Sequence, residues 1–190
     1  MASNILIIGS KKHSDELQDI LRAAGYEDLH AVEGVKGAAE AARSRQPEAI
    51  LLDIDLPDGD SISLIRDILV ERPVPIIVHA TYNQMERVKE ANEMGVSAHL
   101  FRPVTKESLI GALELGMSRF RQCQALHAEV GECREALRVR KVVERAKGIL
   151  MKRHSLSEEE AFLSIQKLSR NNNMTMEKVA ESIITASEVL

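Results

Sequence analysis

Ala49-Ile50-Leu51-Leu52-Asp53-Ile54-Asp55-Leu56-Pro57-Asp58-Gly59 is an apolar run that ends on an acid and then enters a Pro/Gly turn. A short apolar run bounded by turn residues reads as a strand buried on both faces. Strands of that kind belong to parallel sheets whose faces helices cover. Toward the N-terminus the pattern repeats. Asn4-Ile5-Leu6-Ile7-Ile8 is a strand stopping at Gly9, and Ser14 to Ala24 is a helix with Leu17, Ile20 and Leu21 on one face and Gly25 closing it. Leu29 to Val32 is a weaker strand, and Gly37 to Arg45 an Ala-rich helix closed by Pro47. Toward the C-terminus come a helix over Ser61–Glu71, a strand over Pro75–Val78, a helix over Gln84–Met94 and a last strand over Ser97–Phe101. Five strand–helix alternations in about 120 residues predict an α/β, doubly wound (βα)5 domain with right-handed crossovers.

Composition narrows the classes. The chain has 190 residues, 44% hydrophobic, 3% aromatic and no Trp. Such a core suits helices and α/β layers. No apolar run approaches the ~20 residues of a membrane span. The first residues, Met1-Ala2-Ser3-Asn4, lead straight into a strand without a basic region or cleavage site, so a cytoplasmic location is expected, with no membrane partner. Cys123 and Cys133 fall on one predicted helix about 15 Å apart, too far for an intrachain disulfide. No Cys or His stands at zinc spacing, and the six histidines are dispersed. No metal, no cofactor and no catalytic constellation is expected, hence no enzyme.

The net charge of −4 hides an asymmetry: residues 1–133 carry 14 Lys/Arg against 21 Asp/Glu, and residues 134–190 carry 11 against 8. From Lys106 to Arg153 there is no proline and helix formers dominate. Leu109, Leu113, Met117 and Phe120 make the stripe of a last helix of the α/β domain. Cys123, Leu126, Val130, Cys133 and Leu137 then recur at spacings of 3 and 4, a seam of two heptads, and a homodimer through this coiled coil is expected. Packing of the same face within the monomer is the other reading. Arg134, Arg138, Lys141, Arg145, Gly148 and Lys152 form one side of the continuing helix, beside Val142, Ala146, Ile149 and Leu150. Gly148 either lets a phosphate or base approach the backbone or lets helices pack closely. Ser157-Glu158-Glu159-Glu160 is a capping box for a second helix with Ala161, Phe162, Ile165 and Leu168 buried. Thr175 caps a third, whose apolar face is Val179, Ile183 and Ile184. A cationic tail of this kind suits a polyanion, and equally a solvated helix face.

The first part resembles the receiver domain of two-component response regulators, on Leu51-Leu52-Asp53-Ile54-Asp55-Leu56-Pro57-Asp58-Gly59 and Phe101-Arg102-Pro103. The resemblance implies that Asp53 stands at the phosphoacceptor position. It also implies an acidic pair for Mg²⁺ where Gly9 and Ser10 stand, a Thr or Ser where Ala80 stands (Thr81 is adjacent) and a Lys where Arg102 stands. Mg²⁺ prefers carboxylate oxygens, and without it phosphoryl transfer loses its main charge neutralisation. The receiver therefore reads as degenerate, with Lys11 or Arg102 as cations that could pair with Asp53.

The tail resembles the ANTAR domain of AmiR/NasT-type transcription antiterminators. The resemblance rests on the run from Val142 to His154, with Ala146-Lys147-Gly148-Ile149-Leu150-Met151 at its centre, on Ala161-Phe162, and on Lys178 to Ile184. It implies three helices that bind structured RNA, leader-transcript hairpins, as a dimer and prevent a terminator from forming. It also implies a ligand-sensing regulatory protein that sequesters the regulator. The C-terminal match is closer to the nitrate-assimilation regulators than to the amidase regulator, so a nitrate/nitrite assimilation operon or a catabolic one is expected as target. Arg138, Lys141, Arg145, Lys147, Lys152, Arg153 and Arg170 are the expected RNA-binding cations. The expected domains are a receiver over 1–120, a dimerisation linker over 121–137 and an RNA-binding domain over 138–190. The alternative is a phosphorylation-dependent response regulator acting through DNA or protein contacts. Against DNA, the third helix, Met176 to Ser187, has one Lys and no Arg.

Overall fold

The computed structural model describes residues 4–189, with side chains to residue 187; Met1, Ala2, Ser3 and Leu190, which the expected domain spans include, lie outside the described residues. Two compact units divide the chain between Gln124 and Ala125.

The first unit begins with β1 (Ile5–Gly9), α1 (Lys11–Ala23), β2 (Leu29–Glu33), α2 (Ala38–Arg45) and β3 (Ala49–Asp53). It continues with α3 (Ser61–Glu71), β4 (Ile76–Ala80), a 3-10 turn over Tyr82–Gln84, α4 (Met85–Glu93) and β5 (Ala98–Phe101). All strand pairs are parallel, in the order β2-β1-β3-β4-β5. Strand alternation divides the apolar residues between two faces. Leu6, Ile8, Ile50, Leu52, Ile76 and Val78 pack with Ala38, Ile65, Ile68 and Val88 of α2, α3 and α4. Ile5, Ile7, Leu51, Ile77 and Leu100 pack on Leu17 and Leu21 of α1 and on Leu109 and Leu113. Burying each such side chain stabilises the fold by about 1.5–3 kcal/mol.

The turn after β3 is tied down through its acid. Asp58 accepts from the amides of Val35 (2.7 Å) and Lys36 (3.4 Å), which holds its carboxyl below the usual carboxylate range. Gly34 leaves the room for this: its φ is +69°, and a Cβ there would lie 2.2 Å from Asp58 Oδ1.

The next helix, α5 (Lys106–His154), has 49 residues, beginning in the first unit and ending in the second. It contains the expected receiver stripe, dimer seam and basic helix without a break at either end of the expected linker. In the second unit, α6 (Glu158–Asn171) and α7 (Met176–Val189) follow. Ser157 and Glu160 form the expected capping box, with reciprocal bonds of 3.2 and 2.8 Å, a cap whose loss costs about 1 kcal/mol. Thr175 Oγ1 accepts weakly from the Lys178 amide at 3.3 Å. The small core is Ala146, Ile165, Val179 and Ala180, joined by Val142, Val143, Leu150, Met176, Ile183 and Ile184.

Phe162 was expected in that core and is instead 40% exposed, as is Leu168 to a similar degree. Ala161 and Ile165, four residues apart, share the inward line; Phe162 is ~100° further round the helix. Gly148 meets no atom within 4 Å of a built Cβ, so close helix packing does not explain it.

Candidate functional sites

The carboxyl ends of β1, β3, β4 and β5 bring one polar cluster together. Gly9, Asp53, His79 and Arg102 each lie two residues beyond a buried apolar residue on the α1 and α5 face (Ile7, Leu51, Ile77 and Leu100), so alternation points all four the same way. Asp53 and His79 are register partners. Asp53 is 3% exposed. Its Oδ2 receives the Arg102 guanidinium and lies 2.9 Å from His13 Nδ1. Its Oδ1 accepts from the Asp55 amide at 3.1 Å. Ser10 Oγ is 3.0 Å from the same His13 nitrogen. Of the two cations expected as partners for Asp53, Arg102 is the one that pairs; Lys11 is exposed and makes no ion pair among the described residues. Ala80 is buried at the end of β4 and offers no hydroxyl.

His79 is a member of the cluster that the sequence reading missed. Arg102 Nε donates to its Nε2 at 3.2 Å. Burial first, and then the Arg102 charge, push its pKa down to about 4. The ring is therefore neutral at pH 7 and carries its proton on Nδ1, which is buried without a partner among the described residues. The signal was a polar residue in step with Ile77. His13, also missed, lies in the first turn of α1, where its ring reaches Asp53.

The resident metal that a receiver implies does not fit these residues. Gly9 and Ser10 supply no carboxylate, and a Cβ at Gly9 would already stand 3.3 Å from Asp53 Cβ. Arg102 and His13 engage the Asp53 oxygen, and no group of three or more His, Cys, Asp or Glu among the described residues could hold a metal ion.

In the second unit the expected cations divide into classes. Lys147 is a correction: it is 7% exposed, its ammonium held by Glu144 (3.0 Å) and Glu158 (2.7 Å), which raise its pKa. It ties α5 to the start of α6 and is not a free phosphate contact. Arg138 is bound by Glu135 (2.8 Å), Glu177 and Glu181 (3.7 Å), so its charge is largely offset. Arg153 donates to the Ser187 carbonyl at 2.7 Å. Lys141, Lys152 and Arg170 are exposed and form no ion pair among the described residues; Arg145 is also exposed. The sequence placed Arg138, Lys141, Arg145 and Lys152 on one helical side but could not see which of the expected cations the carboxylates of α6 and α7 would claim. Cys123, Leu126, Val130, Cys133 and Leu137 are all exposed along α5.

An open parallel sheet of this strand order, with an aspartate at the carboxyl end of β3 and a paired cation at the end of β5, defines a receiver-type response regulator. The receiver-domain family model matches residues 5–114 and the ANTAR domain model residues 132–184. Transcriptional regulatory protein PdtaR of Mycobacterium tuberculosis is 36% identical over 169 residues, spanning 89% of this chain and 82% of that protein. The chain belongs to the ANTAR-containing response regulators. Chemotaxis response regulator CheY4 of Vibrio cholerae has the same fold over 61% of this chain and 99% of its own, at 19% identity and a TM-score of 0.56. NtrX of Brucella abortus matches 77% of this chain and 35% of its own, at 22% identity and a TM-score of 0.60. No described helix is long and apolar enough to cross a membrane.

Proposed function

We propose that this protein is an RNA-binding transcription antiterminator that acts in the cytoplasm as a homodimer. Its C-terminal helices bind leader-transcript hairpins of a nitrate/nitrite assimilation or catabolic operon and keep a terminator from forming. In this reading residues 1–120 are a regulatory receiver, 121–137 a dimerisation linker and 138–190 the RNA-binding domain. A ligand-sensing regulatory protein controls release of the dimer.

The observation that carries the reading is the ANTAR match over residues 132–184, on helices that keep Lys141, Lys152 and Arg170 exposed. Ammonium and guanidinium groups with no carboxylate claiming them are available for phosphate oxygens, and RNA hairpins can be held by phosphate and shape contacts without a row of aromatics. The closed charge cluster at Asp53 favours regulation by a bound partner over regulation by phosphoryl transfer. The test is a titration of full-length protein with a hairpin-containing leader RNA, with duplex DNA of similar length as competitor. RNA is expected to bind and duplex DNA to compete poorly; equal competition by duplex DNA overturns the reading.

A further inference from the structure

The second unit keeps its one aromatic side chain of the Phe, Tyr and Trp kind out of its core. We propose that Phe162, on the outward side of α6, is the platform on which an unpaired base of the hairpin loop stacks, while Lys167 and Arg170 on the same side hold neighbouring phosphates. The inference rests on the reading of this protein as an RNA-binding antiterminator and names the part of the RNA that α6 meets: single-stranded loop nucleotides, not the paired stem.

Folding does not account for the position of Phe162. Residues 125–190 contain no other Phe, Tyr or Trp, and the core shared by the three helices is built from Ala146, Ile165, Val179 and Ala180. An aromatic ring can bury more apolar area than any of these. Yet Phe162 is 40% exposed and Leu163, next to it, 52%. A single exposed apolar side chain is ordinary; here an aromatic and a leucine form one patch on the helix whose other side carries the core.

The patch continues into cations. Each residue turns ~100° about the axis from the one before, so Phe162, Gln166 and Arg170, four apart, make one row, and Leu163 and Lys167 the row beside it. Both rows lie away from the inward line of Ala161 and Ile165. Lys167 and Arg170 are exposed and make no ion pair among the described residues. They stand about 7.5 and 12 Å along the axis from Phe162. A ring followed by an amide and then by ammonium and guanidinium groups matches the face of a base, a base edge and the phosphates of a single strand.

Charge assigns the base to the Phe162 end. Phe162 borders a shallow hollow of about 350 Å³ whose other lining residues are Lys147, Glu158 and Glu159. Glu144 and Glu158 already hold the Lys147 ammonium, and Glu159 adds a further carboxylate. A phosphate would be repelled there. A neutral ring is not, and its amine can donate to a carboxylate. Bases therefore meet the N-terminal half of α6 and phosphates its C-terminal half.

The experiment uses full-length protein and a pool of RNA hairpins with one fixed stem and a randomised loop. The parent selects hairpins from the pool, and the base at each loop position of a selected hairpin is then removed in turn, leaving an abasic site. At one position the abasic hairpin is expected to bind the parent at least about five-fold more weakly, the loss of one base–aromatic stack. Phe162→Leu should lose a similar factor with the intact hairpin and little more with that abasic one, as coupled partners do in a double-mutant cycle. Phe162→Tyr should bind as the parent does. Lys167→Glu/Arg170→Glu should weaken every hairpin and leave the loop-position effect in place. Thermal unfolding of each variant at the parent's midpoint separates contact from folding. If the parent selects no hairpin, or duplex DNA competes equally, the RNA reading fails and this inference with it. If the parent selects hairpins but the stem as a blunt RNA duplex competes equally, or Phe162→Leu binds as tightly as the parent, or its loss is the same with every abasic hairpin, the inference alone is overturned.

Discussion

Arg102, at the end of β5, reaches the Asp53 carboxylate at the end of β3 directly, while its Nε donates to His79 on the strand between them. One guanidinium thus spans three strands at the position where the family places a lysine. An arginine does this better than a lysine because its planar fork serves two acceptors at once.

Asp53 is expected to resist phosphorylation. Its carboxylate is engaged by Arg102 and His13, and no acidic pair stands by to hold the metal that would neutralise an incoming phosphoryl group. Incubation with acetyl phosphate and Mg²⁺ should leave the intact mass unchanged. A stoichiometric adduct that disappears in Asp53→Ala would show a working receiver.

Stability should fall below neutral pH because of His79. Its ordinary pKa of 6.5 is lowered to about 4 in the fold, so between those values the unfolded chain takes up a proton that the native ring refuses. The native state is therefore penalised as pH drops from 6.5 toward 4. By pH 5 the loss is about 2 kcal/mol relative to pH 7.5. Urea unfolding at the two pH values should show this loss in the parent and a smaller one in His79→Gln, which keeps an acceptor for Arg102. Equal pH dependence in both proteins removes His79 as the cause.

The exposed seam on α5 should hold two chains together. Leu126, Val130 and Leu137 are large apolar side chains open to solvent, and with Cys123 and Cys133 they recur at spacings of 3 and 4, which suits a parallel two-stranded coil. Light scattering should give a dimer for the parent and a monomer for Val130→Glu/Leu137→Glu. Oxidation should also crosslink the parent through Cys133, since seam positions of a parallel dimer face their own copies. A monomeric parent, or a variant of unchanged mass, rules the seam out.

Charge reversal in the second unit should separate contact from stability. Lys141→Glu/Lys152→Glu alters exposed side chains, so helix content should be retained while RNA affinity drops by about an order of magnitude or more. For the parent, each phosphate contact contributes roughly −0.7 to −0.9 to the slope of log K against log salt. Lys147→Glu should instead lower the thermal midpoint, because it sets a third carboxylate against Glu144 and Glu158. If the double variant binds RNA as the parent does, those two lysines are solvated helix surface. If Lys147→Glu weakens RNA binding at an unchanged midpoint, Lys147 is a contact after all.

Local pattern determined a good deal of this protein. Apolar runs of strand length, broken by helical stripes and Gly/Pro turns, carried the (βα)5 order. Strand alternation alone would have aligned His79 with Asp53 had the fourth strand been read past Val78 to Ala80, where the structure ends it. The Ser157–Glu160 capping box was legible because its two bonds connect residues three apart. What the tertiary structure decided is how charges and rings pair across elements. Asp53 meets Arg102 and His13 from 49 and 40 residues away, and Lys147 turns to Glu158 on the next helix rather than to solvent. Phe162 faces outward because Ala161 and Ile165 fill the inward line. Sequence spacing specifies which face of an element a residue occupies. Which partner that face meets depends on loops and packing that bring distant residues within hydrogen-bond reach, and in this protein that packing decides that Arg102, not Lys11, pairs with Asp53 and that His13 and His79 join them.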